Sequence, residues 1–215
     1  MFAALTGIGL SAAAGLNAYI PFLAVALLDR FTDVVNLPVG WEWMSSWWAI
    51  GIVAVLLAAE VVLDKVPVVD TVNDTVQTFV RPATGGVIFA ATTAASGLEA
   101  SSWVQQHPWV SVLAGVVVAG LVHAGKATSR PVLDAASVGV ATPVVSTVED
   151  GASVGLSLVA IFLPVLVLVL LVALVWGFVW LRRRRPHGPS TWSARARSAP
   201  GPGSRPGPRP DEGAG

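Results

Sequence analysis

Apolar runs separated by short polar segments fill most of the chain, and several runs reach or approach the ~20 residues that cross a hydrocarbon core. The pattern predicts five spans, which cover residues 3–28, 47–63, 84–98, 110–123 and 152–181. The last span would be ~45 Å long, which exceeds a ~30 Å core, so we expect it to tilt, to bend at Pro164 or to protrude. The pattern therefore predicts an all-α, polytopic transmembrane helical bundle of about five spans.

The first predicted span carries small residues at intervals of four: Gly7, Ser11 and Gly15. Such a stripe allows another helix to approach closely. Asn17 and Pro21 interrupt the same span further along and predict a kink near Pro21. The N-terminal run lacks the basic flank of a secretion signal, so we interpret it as a span that is retained.

Two polar segments interrupt the apolar pattern. In residues 70–81, DTVNDTVQTFVR, apolar and polar residues take opposite helical faces and Pro82 follows, which predicts a short amphipathic helix that ends there. Residues 124–151 contain Pro131 and Pro143 and are predicted to form a broken segment. Irregular backbone at membrane depth is tolerated only where it is buried in protein or lines a wet cavity. We therefore expect both segments to pack on or into the bundle.

The two halves of the bundle show a weak similarity. A shift of 61 residues places Lys65 on Lys126 and Pro82 on Pro143. Two interpretations are open. The similarity could reflect an internal repeat, whose interface commonly holds the site in transporters. It could equally reflect the general likeness of any two helical hairpins in lipid.

The composition supports a membrane protein, because 54% of the 215 residues are hydrophobic and 12% are charged. A soluble domain is usually about a quarter charged. The net charge of zero is unevenly distributed: residues 1–181 hold five basic and eleven acidic residues, whereas residues 182–215 hold eight arginines and two acidic residues. We therefore divide the chain into a helical bundle, residues 1–181, and a basic tail rich in Pro, Gly and Arg, residues 182–215, which we predict to be disordered.

The arginines that follow the last span predict the orientation of the chain. Arg182–Arg185 place the C-terminus in the cytoplasm by the positive-inside rule. Five spans then put the N-terminus outside the cell. The predicted location is the plasma membrane.

Charged residues within the apolar sequence are the candidate functional residues. An ionised side chain at the bilayer centre costs at least ~2.5–3.5 kcal/mol, so such groups pair, line water or lie at helix ends. Glu60 and Asp64 share a helical face four residues apart and repel each other unless a cation or a proton intervenes. We predict a polar binding cluster formed by Glu60, Asp64, Lys65, Asp70, Asp74, Arg81, His123, Lys126, Arg130, Glu149 and Asp150.

Simpler explanations exist for some of these charges. Glu60 and Asp64 could lie at the membrane interface, because Lys65 beside them is long enough to reach the headgroups. Glu149 and Asp150 enter a predicted helix start, where negative charge stabilises the helix dipole. Both explanations require no ligand.

Three stretches of the sequence together resemble a known family. They are GLSAAAGLNAYIP, then EVVLDKVPVVD with VQTFVRP, then TPVVSTVED. In these stretches the chain resembles the bacterial multi-pass membrane protein family named domain of unknown function 4126, over roughly residues 5–180 and without the tail. The resemblance implies a small bacterial inner-membrane protein, and it implies no particular biochemical activity.

Three classes of function fit these observations to different degrees. The first is a transporter or channel for a small polar solute or ion, with the polar cluster as its site. The second is a non-transporting scaffold or lipid-interacting protein, in which the charges form structural ion pairs. An enzyme is not expected, because HExxH and phosphate-loop motifs are absent from the sequence.

The partners expected from the sequence depend on the same residues. The chain has no cysteine, and we expect neither a cofactor nor a metal. The lipid bilayer is the expected partner, while anionic lipid at the arginines of the tail and a second copy of the chain are further candidates. Nucleic acid is not expected, because the basic residues lie beside the membrane in a Pro/Gly-rich tail.

Overall fold

The fold is described by a computed structural model, which covers residues 2–64, 67–96, 102–137 and 142–184. The described residues form α-helices and one short 3-10 helix, Glu42–Ser45, with no strand among them, so the all-α prediction is confirmed for this part of the chain. The helices are α1 Phe2–Leu16, α2 Tyr19–Phe31, α3 Trp47–Leu63, α4 Pro67–Ala95, α5 Ser102–Gln106, α6 Pro108–Ser137, α7 Thr142–Phe162 and α8 Pro164–Arg184.

The chain divides into two compact units, residues 1–173 and residues 174–215. In the second unit the described residues, 174–184, are helical. The predicted disordered tail, residues 182–215, lies outside the described residues from position 185 onward. The helix packing and the candidate site belong to the first unit.

Helices α1 and α2 form an antiparallel hairpin. Leu10 of α1 and Val25 of α2 line the same cavity, as do Ala3 near the start of α1 and Asn36 after the end of α2. The chain therefore reverses direction between Leu16 and Tyr19. The prediction of a single span over residues 3–28 was wrong.

Asn17 explains why the reversal occurs where it does. Its Oδ1 accepts hydrogen bonds from the backbone N–H groups of Tyr19 (3.0 Å) and Ile20 (3.2 Å), which caps the first turn of α2. Pro21 lies within that first turn, where a missing N–H leaves no hydrogen bond unmade. The interruption predicted near Pro21 is a helix break that lies at Asn17 and Ala18, ahead of the proline.

The predicted stripe of small residues on α1 is confirmed as a packing surface. Ser11 Oγ donates to the backbone carbonyl of Gly85 at 2.9 Å. A Cβ added at Gly7 would lie 3.1 Å from the ring of Phe89, and one added at Gly15 would lie 2.6 Å from the Ala119 carbonyl oxygen. Helices α4 and α6 therefore approach α1 almost at backbone distance, as in membrane helix packing.

Helix α3 has the predicted bounds, residues 47–63. Ser46 begins it, because its side-chain oxygen accepts a hydrogen bond from the backbone N–H of Ala49 at 3.3 Å. Its outward residues are apolar and include Ile52, Val55 and Val62, each more than half exposed.

Helix α4 runs without interruption through Pro82. The predicted amphipathic helix over residues 70–81 and the predicted span over residues 84–98 are therefore parts of one helix. A proline within a helix removes one hydrogen bond and strains one turn. Contacts on both sides of Pro82 offset that cost. Arg81 is buried against Glu60, and the Gly85 carbonyl accepts a hydrogen bond from the Ser11 hydroxyl.

The segment predicted to be broken over residues 124–151 is also largely helical. Helix α6 continues to Ser137 through Pro131, and α7 begins at Thr142 with Pro143 in its first turn. Residues 138–141 lie outside the described residues. Pro143 opens a helix whereas Pro82 lies inside one, so the two prolines matched by the proposed repeat differ in structural position.

The last predicted span, residues 152–181, is divided at Leu163, which belongs to neither α7 nor α8. Pro164 comes directly after it, so the bend predicted there is confirmed as a helix break. Within the described part of the chain, two helical segments are long and apolar enough to cross a membrane, Pro108–Ser129 and Pro143–Phe162. Phe2–Leu16 and Trp47–Leu63 are shorter apolar helices.

Candidate functional site

Charged residues from four helices meet at the closed end of the α1–α2 hairpin. We call this end the hairpin tip, residues 16–18, and the group around it the charged cluster. The sequence predicted all eight of its members. They are Glu60 and Asp64 from the end of α3, Asp74 and Arg81 from α4, His123 and Lys126 from α6, and Glu149 and Asp150 from α7.

Arg81 is the centre of the charged cluster and is fully buried. Its Nη2 lies 2.9 Å from Glu60 Oε1 and 3.9 Å from Asp64 Oδ2. Its Nη1 lies 3.8 Å from Asp74 Oδ1. The positive charge of Arg81 therefore offsets the repulsion between Glu60 and Asp64, which their spacing of four residues predicted.

The hydrogen bonds of His123 fix its tautomer. Arg81 Nη1 lies 3.2 Å from His123 Nδ1, and because a guanidinium only donates, Nδ1 must accept. The Thr78 hydroxyl donates to the Asp74 carbonyl at 2.8 Å, so its oxygen accepts from His123 Nε2, 3.1 Å away. The ring proton is therefore on Nε2.

Lys126 connects the hairpin tip to two other helices. Its Nζ lies 2.9 Å from Glu149 Oε2 on α7 and 3.7 Å from Asp64 Oδ2 on α3. It also donates to the Leu16 carbonyl at 3.3 Å. The last carbonyls of a helix have no partner within the helix and lie at its negative end, so a lysine stabilises the end of α1.

Asn17 holds the other side of the tip and was not among the predicted site residues. Its Nδ2 donates to Asp150 Oδ1 at 2.9 Å, while its Oδ1 caps α2. The side chain is 1% exposed. The signal in the sequence was an amide within an otherwise apolar run.

Three polar side chains of α4 also join the cluster and were missed as site residues. Asn73 Nδ2 donates to Asp64 Oδ1 at 2.6 Å, and Gln77 Nε2 lies 3.4 Å from the Tyr19 hydroxyl. Thr78 contacts His123. Asn73 and Gln77 were placed on the polar face of the helix over residues 70–81, so that face was itself the signal.

Three predicted site residues receive no side-chain description. Lys65 lies outside the described residues. Asp70 lies in α4 and Arg130 in α6, and the structure describes their backbone only. Their predicted membership of the cluster stays a prediction.

Apolar side chains that face outward surround the charged cluster. Val76 and Phe79 of α4 are 55% and 77% exposed, on the same turns as Asp74 and Arg81. Leu121 of α6 is likewise exposed beside buried His123. The charges of Glu60 and Asp64, each 2% exposed, thus lie inside the protein, and apolar side chains lie outside.

Some buried polar atoms of this region have no hydrogen-bond partner among the described residues: Glu60 Oε2, Gln77 Oε1, Arg81 Nε and Ser146 Oγ. Leaving such a buried polar atom unpaired is costly. Among the described residues, no group of three or more His, Asp or Glu is placed to hold a metal ion.

The comparison with known proteins gave one match. The model of one protein family, described as a domain of unknown function (DUF4126), matches residues 4–184. The match agrees with the family resemblance found in the sequence and covers nearly the same residues. No curated protein and no solved structure matches the chain.

Proposed function

Because the chain belongs to the DUF4126 family, whose description names no activity, we propose a function from the site itself: a multi-pass membrane protein that transports a small polar solute or ion. The charged cluster would be the site through which the solute passes or binds. We propose no catalytic role for it. The observation that carries the proposal is the burial of the Arg81–Glu60 ion pair behind exposed apolar side chains.

The membrane part of this proposal is supported by the distribution of polarity. A soluble protein buries its apolar side chains and exposes its charges. Here Arg81, Glu60 and Asp64 are buried, while Phe79 and Leu121 on the same helices as cluster residues are exposed. Lipid around the bundle would remove the cost of that exposure.

The hairpin would enter the membrane and return to the same side. Each leg is only ~20 Å long at 1.5 Å per residue, from the 15 residues of α1 and the 13 residues of α2. Its irregular tip would lie at membrane depth, which is tolerated because Lys126 and Asp150 satisfy the tip's polar groups. Broken helices of this kind commonly form solute sites in transporters.

The charge balance supports a cationic solute or a proton. Among the side chains that the structure describes, five carboxylates of the charged cluster face two permanent cations, Arg81 and Lys126. His123 accepts a hydrogen bond from Arg81 and so adds no positive charge in this arrangement. The excess of carboxylates favours binding of a positive charge.

The remaining partners and the location are part of the same proposal. The plasma membrane is the proposed location, with the C-terminus in the cytoplasm because Arg182–Arg185 follow the last apolar run of the sequence. Anionic lipid is proposed to bind these arginines. The exposed apolar faces of α3 and α6 would contact lipid or a second copy of the chain.

The test is flux into liposomes that contain the purified chain. Proton entry is measured with a pH-sensitive dye, and Na⁺ and K⁺ entry with ion-sensitive dyes. We expect flux above that of empty liposomes, and at least a tenfold loss in the Glu60→Gln, Asp64→Asn variant. Asp33→Asn, at an exposed loop position, is the matched control. Equal flux in the double variant and the parent would contradict the proposed site.

A second function is favoured by a specific observation. Lys126 and Asn17 tie the hairpin tip to α3 and α7 by short direct contacts, which is what a structural clamp requires. The chain would then be a membrane scaffold. No flux of any tested ion, together with a large loss of stability on removal of Lys126, would favour this function over transport.

A further inference from the structure

The buried ion pair of Arg81 and Glu60 is joined by one hydrogen bond, although its two groups could form two. Arg81 Nη2 donates to Glu60 Oε1 at 2.9 Å. Arg81 Nε and Glu60 Oε2 are also buried, and neither has a hydrogen-bond partner among the described residues. A guanidinium and a carboxylate frequently pair through two parallel hydrogen bonds. One half of this pair is therefore open.

A third unpaired atom belongs to Gln77, which is 2% exposed. Gln77 precedes Arg81 by four residues on α4, so the two side chains are neighbours on one face of that helix. Its Nε2 lies 3.4 Å from the Tyr19 hydroxyl, while its Oε1 has no hydrogen-bond partner among the described residues. The three unpaired atoms are thus one donor, Arg81 Nε, and two acceptors, Glu60 Oε2 and Gln77 Oε1.

One donor and two acceptors match the hydrogen bonds of a single water molecule. A water can accept from Arg81 Nε and donate its two hydrogens to Glu60 Oε2 and Gln77 Oε1. Buried waters typically make about three hydrogen bonds to polar groups that lack other partners. A metal or ammonium ion fits less well, because it cannot accept the hydrogen of Nε and would meet the positive charge of the guanidinium.

We propose that a water molecule completes the Arg81–Glu60 pair and that Glu60 Oε2 binds a proton delivered through it. A hydronium ion from the solvent gives up one proton and becomes water. The bound water takes up that proton and releases another, and a new O–H bond forms at Oε2. Arg81 keeps all of its protons, and the protonated Oε2 donates to the second lone pair of the bound water.

The other carboxylate on the same face of α3 is better satisfied than Glu60. Asp64 Oδ1 accepts a hydrogen bond from Asn73 Nδ2 at 2.6 Å. Asp64 Oδ2 lies 3.7 Å from Lys126 Nζ and 3.9 Å from Arg81 Nη2. Donors and cations stabilise the ionised form of a carboxyl group. Glu60, with one oxygen unpaired, is therefore the better proton acceptor of the two.

The surroundings of the pair provide a route for protons from the surface. The side chain of Asp74 is 17% exposed, and its Oδ1 lies 3.8 Å from Arg81 Nη1. His123 Nδ1 accepts from the guanidinium, so that nitrogen is not open to a proton in this arrangement. The titratable and charged groups that face the pair are Asp64 of α3, Asp74 of α4, His123 and Lys126 of α6, Tyr19 of α2 through Gln77, and Glu149 of α7 through Lys126.

The proton would then be the cation of the proposed function, and only its passage across the membrane rests on that function. Proton binding at Glu60 can be measured without any transport. A protonated carboxyl group has an infrared carbonyl band that a carboxylate lacks.

The first experiment records infrared difference spectra of the full chain in detergent while the solution is acidified. We expect a carbonyl band of a protonated carboxyl group that shifts in D₂O and is lost in Glu60→Gln. The same band in Glu60→Gln and in the parent would overturn the assignment. A Glu60 band that does not shift in D₂O would overturn delivery through water.

The second experiment tests the positioning role of Gln77. Gln77→Leu removes the acceptor of the bound water, so the hydrogen bond at the protonated Oε2 should change and the Glu60 band should move. Gln106→Leu is the matched control, because it makes the same chemical change at an exposed position of α5. No movement in Gln77→Leu, or equal movement in both variants, would overturn the bridging water. Thermal unfolding checks that each variant is folded.

The outcomes separate proton binding from transport. Ion flux that depends on Glu60 and Asp64, without a Glu60 band, would overturn the proton site and leave transport standing. A Glu60 band without flux of any ion would contradict transport and leave the proton site standing. Flux of Na⁺ or K⁺ without proton entry would overturn the proton as the transported cation.

Discussion

Arg81 and Glu60 form an ion pair of 2.9 Å in which neither side chain exposes more than 1% of its surface. The pair joins α3 to α4 on the turn before Pro82. Taking two charges out of water costs several kcal/mol per ion, and their attraction repays this only with good geometry. A buried pair of this kind is weak evidence for stability alone and is better explained by a role in docking or binding.

The first prediction concerns the loss of one member of this pair. Arg81→Met leaves the carboxylate of Glu60 buried without its cation, so we expect a loss of ~3–5 kcal/mol in the free energy of unfolding. Removing both charges, in the double variant Arg81→Met, Glu60→Leu, should restore most of the lost stability. Denaturant unfolding in one detergent measures all variants.

Arg30→Met is the control for that comparison. Arg30 is exposed, lies 4.1 Å above the ring of Trp47 and donates to the Ser45 carbonyl at 2.9 Å, so its removal should cost ~1–2 kcal/mol, less than the loss of the buried pair. If Arg81→Met lowers the free energy of unfolding no more than Arg30→Met does, the buried ion pair contributes no more to stability than an exposed arginine.

The second prediction separates the two roles of Asn17. Asn17→Asp keeps an oxygen that can cap α2, but it places a carboxylate where the amide now donates to Asp150 at 2.9 Å. We expect a loss of stability from like-charge repulsion. Asp150→Asn in the same chain should reverse most of the loss, because an amide can again donate across the contact.

Thermal unfolding of the two single variants and the double variant tests this coupling. Additive losses would show that the Asn17–Asp150 contact does not hold the hairpin tip. The expected result is a strongly non-additive cycle, as is usual for residues in direct contact.

The charged cluster could be predicted from the sequence because charges within apolar helices must meet partners. The spacing of Glu60 and Asp64 placed both on one face, and the repulsion between them then required a cation or a proton nearby. The small-residue stripe on α1 was predictable for a similar reason. Each prediction depended on a local pattern whose meaning does not change with the fold.

The hairpin and the long helices could not be predicted in this way. An apolar run over residues 3–28 has the length of a span whether the chain crosses the membrane or turns back inside it. Only Asn17 marks the turn, and its role depends on Asp150, which is far away in sequence. Pro82 looked like a helix end because the contacts of Arg81 and Gly85 that hold α4 together are tertiary.

The third prediction compares two glycines of α6. A Cβ at Gly115 would lie 2.7 Å from Phe89 Cβ and would also contact the Gly85 carbonyl, whereas nothing lies within 4 Å of one at Gly125. Gly115→Ala should therefore destabilise the bundle, because α4 and α6 must move apart. Gly125→Ala should be neutral or stabilise by up to ~1 kcal/mol, since alanine favours a helix.

The two variants are expected to change the free energy of unfolding in different directions, so denaturant unfolding of both in the same detergent tests the prediction. A gain of stability in Gly115→Ala would mean that α4 and α6 do not cross closely at Gly85. A loss in Gly125→Ala would indicate an unexpected neighbour at that position.

The fourth prediction concerns the side of the membrane on which each end of the hairpin lies. The chain has no cysteine, so single cysteines can be placed without other changes. Phe2→Cys and Val39→Cys lie before and after the hairpin, and both positions are exposed. A membrane-impermeant maleimide applied to sealed vesicles of one orientation should label either both positions or neither.

The single span predicted over residues 3–28 gives a different result, because it would put Phe2 and Val39 on opposite sides. Labelling of both from the same side is the pattern that the hairpin requires. Labelling of only one of the two positions in sealed vesicles of one orientation would contradict the hairpin. Asn17→Cys adds a depth test: its side chain is 1% exposed, so it should stay unlabelled from either side unless the tip opens.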